Sequence, residues 1–313
     1  MTTTRTGQAT TTPALTRRIE GRSPWMLAWE RLRRDRLAMV SLGFIVVIIL
    51  IAIAAPVFAS ITGHPPNVQY RHIGLSPDGQ PRPPSSTFWF GTDDLGRDVL
   101  VRVVYGARVS LGVGVLATLL TVLLGVVIGL AAGYFGGWTD TVLARLIDLV
   151  LSFPFLLAAL ALVSVFGSSL AITIFVIGFF SWASMARIVR GQVLSVKERE
   201  YVEAARSLGA GDTRIMFVDI LPNVLAPVIV YATLLIPIVI VVQATLSFLG
   251  LGIPPPTPDW GGMIDESRNY YQTSWWFMFF PGMALILTTL AFNLFGDGVR
   301  DAFDPRIDRL LRK

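Results

Sequence analysis

Cysteine is absent from the 313 residues, and histidine occurs only twice, at His64 and His72. The first absence removes disulfides, thiolate metal sites and cysteine nucleophiles from consideration, and leaves the redox compartment open. Neither histidine lies in an apolar run, so a membrane-embedded Ser/His protease or an H-E-x-x-H metalloprotease lacks its parts. Lysine is nearly missing as well: Lys197 and Lys313 are the only two among 26 basic residues. Charged residues make up 15% of the chain, against roughly 25% in soluble domains, while the hydrophobic class reaches 53% and mean hydropathy is +0.62. A compact soluble fold has too little interior to hide that much apolar surface, whereas lipid accepts it as solvent. The composition therefore implies an integral membrane protein. The net charge of +5 does not imply nucleic-acid binding, because the arginines gather beside the ends of apolar segments, a topological pattern.

Four stretches divide the chain. Residues 1–24 read as a disordered cytoplasmic tail, rich in Thr and Arg with Glu20 as its one acid; an organellar transit peptide is the alternative. Residues 25–108 hold an amphipathic helix on the inner membrane face, a first transmembrane span and an external loop. In that helix Trp25, Leu27, Ala28, Trp29 and Leu32 alternate with Arg31, Arg33, Arg34 and Arg36. Residues 109–300 hold five further spans, and 301–313 read as a cytoplasmic C-terminal tail.

The spans follow from intervals between charges, since a bilayer core needs about 20 apolar residues per helix. Leu37–Ala59 is the first and reads as a signal anchor, because the 36 residues before it exceed the n-region of a cleaved signal. Val109–Phe135 is the second, with Gly112, Gly114, Gly125, Gly129 and Gly133 available for close helix packing. The charge-free interval Leu149–Ala186 would measure about 57 Å as one helix, nearly twice the bilayer core, so it must fold back. Gly167, Ser168 and Ser169 supply the turn, giving a third span over Thr141–Phe166 and a fourth over Leu170–Val189. The fifth is Val224–Phe248, ended by the proline run Pro254–Pro258, and the sixth Trp275–Phe295.

Six spans put both termini on one side. Lys and Arg number 8, 6 and 5 in the segments assigned to that side, against 5 and 1 in the segments opposite, so the positive-inside rule places the termini, and the loop Arg187–Pro222, in the cytoplasm. The spans are nearly free of ionisable groups, which argues against an ion-coupled pathway. Arg145 and Asp148 are the exception, either a self-neutralising pair at a helix end or a gating element. Gln243, Thr245 and Ser247 either line a hydrated path or hydrogen-bond between helices. Pro222, Pro227 and Pro237 either kink span five statically or let it bend.

The cytoplasmic loop is the most informative stretch. Glu200, Glu203 and Arg206 share one face of a short helix, Ala204, Ala205 and Leu208 leave another low and apolar, Gly209 ends it in a left-handed turn, and Asp212 caps the next helix. By residues alone this is either a helix hugging headgroups or one that another protein approaches. The run Glu203, Ala204, Ala205, three residues, Gly209, then Leu221 and Pro222 resembles the E-A-A-x3-G-x9-I-x-L-P loop of ABC-importer permeases at full spacing, with Asp219 standing in the isoleucine slot. Phe90–Tyr105 (FGTDDLGRDVLVRVVY), Pro258–Gly262 (PDWGG) and Asn293–Arg306 (NLFGDGVRDAFDPR) are similar to signatures of the C-type permease of the dipeptide/oligopeptide/nickel branch. On physical grounds, Thr92 or Asp93 caps an external helix with Asp93 paired to Arg97 at i,i+4, and Asp297–Arg306 is a charged exit from span six.

The resemblance implies an all-α type I importer transmembrane domain of six helices in a bacterial or archaeal cell membrane, with Glu203, Ala204, Ala205, Gly209, Leu221 and Pro222 forming the cytoplasmic coupling element. It implies a related second permease (B-type) as heterodimer, two ATP-binding subunits or one fused ATPase, and an extracytoplasmic substrate-binding protein. ATP and Mg would sit on those ATPase subunits: neither lysine of this chain follows a glycine, so no G-x-x-x-x-G-K-[ST] loop exists. Cargo is left open among dipeptides, oligopeptides, glutathione and nickel chelates. An ion-coupled secondary transporter and a non-transporting membrane scaffold are the rival classes.

Cysteine placed at Asn67 or Arg268 is expected to react with an impermeant thiol reagent added outside intact cells, and cysteine at Asp212 to stay unlabelled; the reverse pattern inverts the topology.

Overall fold

The computed structural model describes residues 24–304. Among these the chain is helical, with two isolated bridges, Leu75 to Pro81 and Thr92 to Asp98, in place of any strand. The helices are α1 (Pro24–Leu32), α2 (Arg36–Ile53), α3 (Ala55–Thr62), α4 (Arg71–Gly74), α5 (Val99–Phe135), α6 (Gly137–Ser152) and α7 (Phe155–Phe166). There follow α8 (Leu170–Val196), α9 (Glu200–Ser207), α10 (Asp212–Arg214), a π-turn (Ile215–Ile220), α11 (Leu221–Phe248), α12 (Trp260–Ser267) and α13 (Trp275–Phe303). Five helical runs are long and apolar enough to cross a membrane: Arg36–Ile53, Val99–Phe135, Leu170–Val196, Asp212–Phe248 and Trp275–Phe303. The pair α6 and α7 makes a sixth, bent by 85°.

Capping chemistry sets several starts. Asp35 Oδ1 accepts from the Leu37 and Ala38 amides at 2.9 and 3.1 Å, opening α2 at the membrane surface. Ser169 Oγ accepts from Ile172 N at 3.2 Å and opens α8, directly after the turn at Gly167, whose φ of +79° suits glycine. The charge-interval reading of the spans thus places all six, with three local differences. The first span is not one helix: it is interrupted at Ala54, where α3 begins with Pro56 in its first turn. The second starts ten residues earlier than expected, at Val99, so the boundary drawn at residue 108 falls inside α5. At about 1.5 Å per residue the 37 residues of α5 reach roughly 55 Å, well beyond the hydrocarbon. The third is broken at Phe153–Pro154, because Pro154 has no N–H to donate and forces the residue before it out of the helical region. The tail expected over 1–24 falls, except Pro24, outside the described residues; that expected over 301–313 begins as helix to Phe303, and its remainder beyond Asp304 also lies outside them.

The α5–α8 seam is the centre of the bundle. Gly125, Gly129 and Gly133 recur every four residues along α5 and let the α8 backbone approach. A Cβ at Gly129 would stand 2.6 Å from the Ala186 carbonyl and 2.7 Å from Val189 Cβ; one at Gly133 would stand 2.7 Å from Val193 Cβ. Gly112, on the same helix, has open space. Below the seam, Arg190 of α8 holds Asp140 of α6 through two hydrogen bonds, one at 2.7 Å. Asp148 makes the expected i,i+3 pair with Arg145 at 4.0 Å and a closer one with Arg187 of α8 at 2.8 Å, so the pair expected within one helix also ties two.

Gly129→Val is expected to lower the unfolding free energy of the detergent-solubilised permease by about 1–3 kcal/mol through overpacking, while Gly112→Ala stays near wild type; thermal unfolding midpoints measure both.

Candidate coupling site

The segment from Arg199 to Pro222, expected in the cytoplasm, is built around one buried residue. Val202, fully buried, joins a core cluster with Leu130 and Tyr134 of α5, Val189 and Val193 of α8, Ile215 and Ile220 of the π-turn, and Val224 of α11. Ala205, one turn on, packs against the same cluster, so α9 is fastened to three spans by its inner face. Glu200 and Glu203 occupy the first turn and Arg206 the last, the charge order that the helix dipole favours. The outward face carries Tyr201, Ala204 and Leu208, spaced i, i+3, i+7, with Leu208 88% exposed. Sequence reasoning placed Ala205 on the apolar approach face; it lies instead on the anchoring face, and Tyr201 takes its place outside. Val202 was missed, although its i,i+3 spacing to Ala205 carried the signal.

The end of α9 is fixed by backbone geometry. Gly209, at φ +82°, donates to Arg206 O, and Ala210 donates to Ala205 O, both at 3.0 Å; together these form a Schellman stop. Gly209 was expected in this role. Asp212 was expected to cap the following helix, but Gly211 takes the cap position, and Asp212 Oδ1 accepts the Tyr134 hydroxyl hydrogen at 2.6 Å, tying the connector to α5. The Asp219 departure has a physical resolution. Residues 215–220 form a π-turn, whose i→i+5 bonding inserts an extra residue into the helix and shifts the register of its faces. Ile220, not residue 219, is then fully buried in the cluster. Leu221 and Pro222 open α11, where a missing proline N–H costs nothing.

At the opposite end a second cluster of charged residues pins the loop preceding α5. No external helix forms over Thr92–Arg97; the segment is a turn closed by the Thr92–Asp98 bridge, and Asp98, not Thr92 or Asp93, caps α5 by accepting from Val101 N at 3.3 Å. Asp93 binds Arg97 across that turn, Arg97 reaches Glu266 of α12 at 2.9 Å, and buried Arg102 reaches the same carboxylate at 3.1 Å. Burial pushes the Glu266 carboxyl up from its ordinary value, while Arg102 and Arg97 pull it down. His64 Nδ1 lies 2.8 Å from Asp98 Oδ2, whose carboxyl burial also raises against the opposing hydrogen bond from His64. Asp93, Asp94 and Glu266 bring ligand oxygens within 4.8 Å of one another, but Arg97 and Arg102 already occupy them, and two guanidinium charges repel a divalent ion. Gln243 donates to Ser247 Oγ at 3.0 Å and to Asp259 Oδ1 at 2.8 Å, and Thr245 to its own helix at Val241 O; these polar groups bond within the protein.

Residues 125–309 match the family described as binding-protein-dependent transport system inner membrane component, and residues 23–77 match the N-terminal TM domain of oligopeptide transport permease C. The chain belongs to the binding-protein-dependent transport permeases. It is 42% identical over 285 residues to the dipeptide transport system permease protein DppC of Alkalihalophilus pseudofirmus, covering 91% of both chains. To the glutathione transport system permease protein GsiD of Salmonella typhimurium it is 43% identical over 286 residues, covering 91% of this chain and 92% of that one. A chain of the solved inward-facing MetNI methionine ABC transporter superposes with a TM-score of 0.52, covering 68% of this permease and 95% of that chain at 17% identity, a likeness of fold. The permease is thus a multi-pass inner-membrane transport subunit.

Tyr134→Phe removes the tether between the connector and α5. Amide hydrogen exchange over residues 209–214 is expected to accelerate about fivefold, the equivalent of roughly 1 kcal/mol, with the transmembrane helices unchanged.

Proposed function

We propose that this permease is one of two membrane subunits of an ATP-driven ABC importer for peptides or related small solutes, and that Glu203, Ala204, Ala205, Gly209, Leu221 and Pro222 form its coupling element. A second, related permease supplies the other half of the pathway. Two ATPase subunits, or one fused chain, bind ATP and Mg in the cytoplasm, where both termini of this chain also lie, and an extracytoplasmic receptor protein delivers the cargo. The names of the relatives, a dipeptide and a glutathione permease, support the peptide class.

The observation that carries this reading is the construction of α9. An eight-residue helix with a fully buried anchor, a Schellman stop and an exposed Tyr201–Ala204–Leu208 stripe is rigid on one side and unoccupied on the other. A helix that only coated lipid headgroups would need neither the fixed stop nor the anchor among three spans. Displacement of α9 by closing ATPase domains is passed to α5, α8 and α11 through Val202, and rigid rotation of these helices exchanges inward-open for outward-open cavities.

Ala204→Trp on the outward face is expected to abolish uptake in the reconstituted complex while the two permeases still co-purify. Gly209→Val adds strain of about 1–2 kcal/mol in the left-handed region and is expected to have the same effect. Undiminished uptake in both variants removes α9 from the coupling pathway.

A further inference from the structure

Lipid supplies no hydrogen bonds, so irregular backbone and unpaired hydroxyls persist at membrane depth only where they face protein or a water-filled cavity. The break between α6 and α7 is such a place. Pro154 contributes no N–H, and the Leu151 and Ser152 carbonyls and the Phe155 and Leu156 amides find no backbone partner there. Leu151, Phe153 and Phe155 border a cavity of about 350 Å3 whose other walls include Ser181 and Ser184 of α8 and Tyr231 of α11. Ser184 lies in α8 one turn before Arg187, and Tyr231 lies midway along the run Asp212–Phe248, so both belong to helices that are long and apolar enough to cross the membrane.

Ser152 and Thr245 satisfy their hydroxyls on carbonyls of their own helices, Leu149 O at 2.7 Å and Val241 O at 2.8 Å, as hydroxyls in apolar helices ordinarily do. Those of Ser181, Ser184 and Tyr231 have no partner among the described residues. The cavity therefore offers hydroxyls beside an opened stretch of backbone, with aromatic walls and no charged side chain lining it. A metal cation would find no carboxylate there and an anionic chelate no cation. A peptide presents the complementary set, N–H and C=O groups in alternation, and the volume falls within the usual range for small-molecule sites.

Resting on the permease reading above, we propose that this cavity is where the backbone of a peptide cargo is contacted at membrane depth, by the opened segment 151–156 and the hydroxyls of Ser181, Ser184 and Tyr231, with Phe153 and Phe155 accepting its side chains indiscriminately. Neutral hydrogen bonds of this kind hold a cargo weakly enough to release it, as conduction requires, and recognise peptide bonds rather than sequence.

The native chain has no cysteine, so single replacements report cleanly. Ser184→Cys, Ser181→Cys and a reference, Val47→Cys on the exposed flank of α2, are reconstituted in proteoliposomes with the complete transporter. Alkylation by N-ethylmaleimide is followed during ATP turnover with dialanine or glutathione as probe. Both serine positions are expected to react at least tenfold faster than Val47→Cys, and a transported probe to slow them at least threefold. The double variant Ser184→Ala, Tyr231→Phe is expected to raise the KM for uptake severalfold, and an unchanged KM counts against the contact. Rates equal to the reference, or indifferent to a probe that the unmodified complex takes up, overturn this inference and leave the permease reading standing. If the unmodified complex takes up neither probe, the peptide-permease reading falls and this inference with it.

Discussion

The hydrocarbon interior withholds hydrogen bonds from the chain, and nearly every feature of this permease follows from how that constraint is met. Backbone groups are satisfied within helices, so the chain reduces to apolar rods joined at the water interfaces. Lipid gives little hydrophobic incentive for the rods to associate, which leaves close packing as the force between them. Gly125, Gly129 and Gly133 answer that requirement by removing every side chain from one stripe of α5, so that Val189, Val193 and the Ala186 carbonyl come into contact with it. The same constraint gives weight to one place, where a proline-broken helix and the hydroxyls of Ser181, Ser184 and Tyr231 border a single cavity.

The two ends of the bundle are held by different physics. At the α9 end a single apolar cluster takes in α5, α8, α9, the π-turn and α11, with Val202 as the contribution of α9. At the α12 end the tie is ionic and buried: Arg97 and Arg102 share Glu266 of α12 with Asp93 of the loop before α5. Buried ion pairs of this kind add little net stability over an apolar core, but removing one partner strands a charge, so they hold geometry tightly.

Much of this was legible in the sequence because charge in a membrane chain is a ruler. Intervals between Arg, Lys, Asp and Glu located every span, and Gly167 and Gly209 marked the turns that their positive φ values require. What escaped was local. Pro154 was visible in the third span, but its consequence, an 85° break, depends on the neighbours that accept the bend. Asp93 and Asp98 both had capping chemistry, and the choice between them was made by partners distant in sequence, Arg97 with Glu266 for one and His64 for the other. The π-turn gave no spacing signal except the misplaced Asp219, whose meaning appears only once Ile220 is seen in the core. Of α9, the residue types and the stop were readable; the buried anchor Val202 was signalled only by its i,i+3 spacing to Ala205, a faint pattern on a helix otherwise dominated by charge.

The distribution of rigid and yielding parts decides where a displacement at α9 can be absorbed. Its anchor moves with α5, α8 and α11 because one cluster holds all four. At the other end of the bundle α5 and α11 are fixed to α12 through Arg102 with Glu266 and Gln243 with Asp259. The helical hydrogen-bond ladder is weakened at Pro227 and Pro237 within α11, at the interruption at Pro154, at Pro281 within α13 and at the break at Ala54. The first three of these give yielding walls to the cavity bounded by Phe153, Ser184 and Tyr231. A bundle jointed in this way can change shape without any charged group inside the membrane, in keeping with a transport subunit whose spans hold so few ionisable groups.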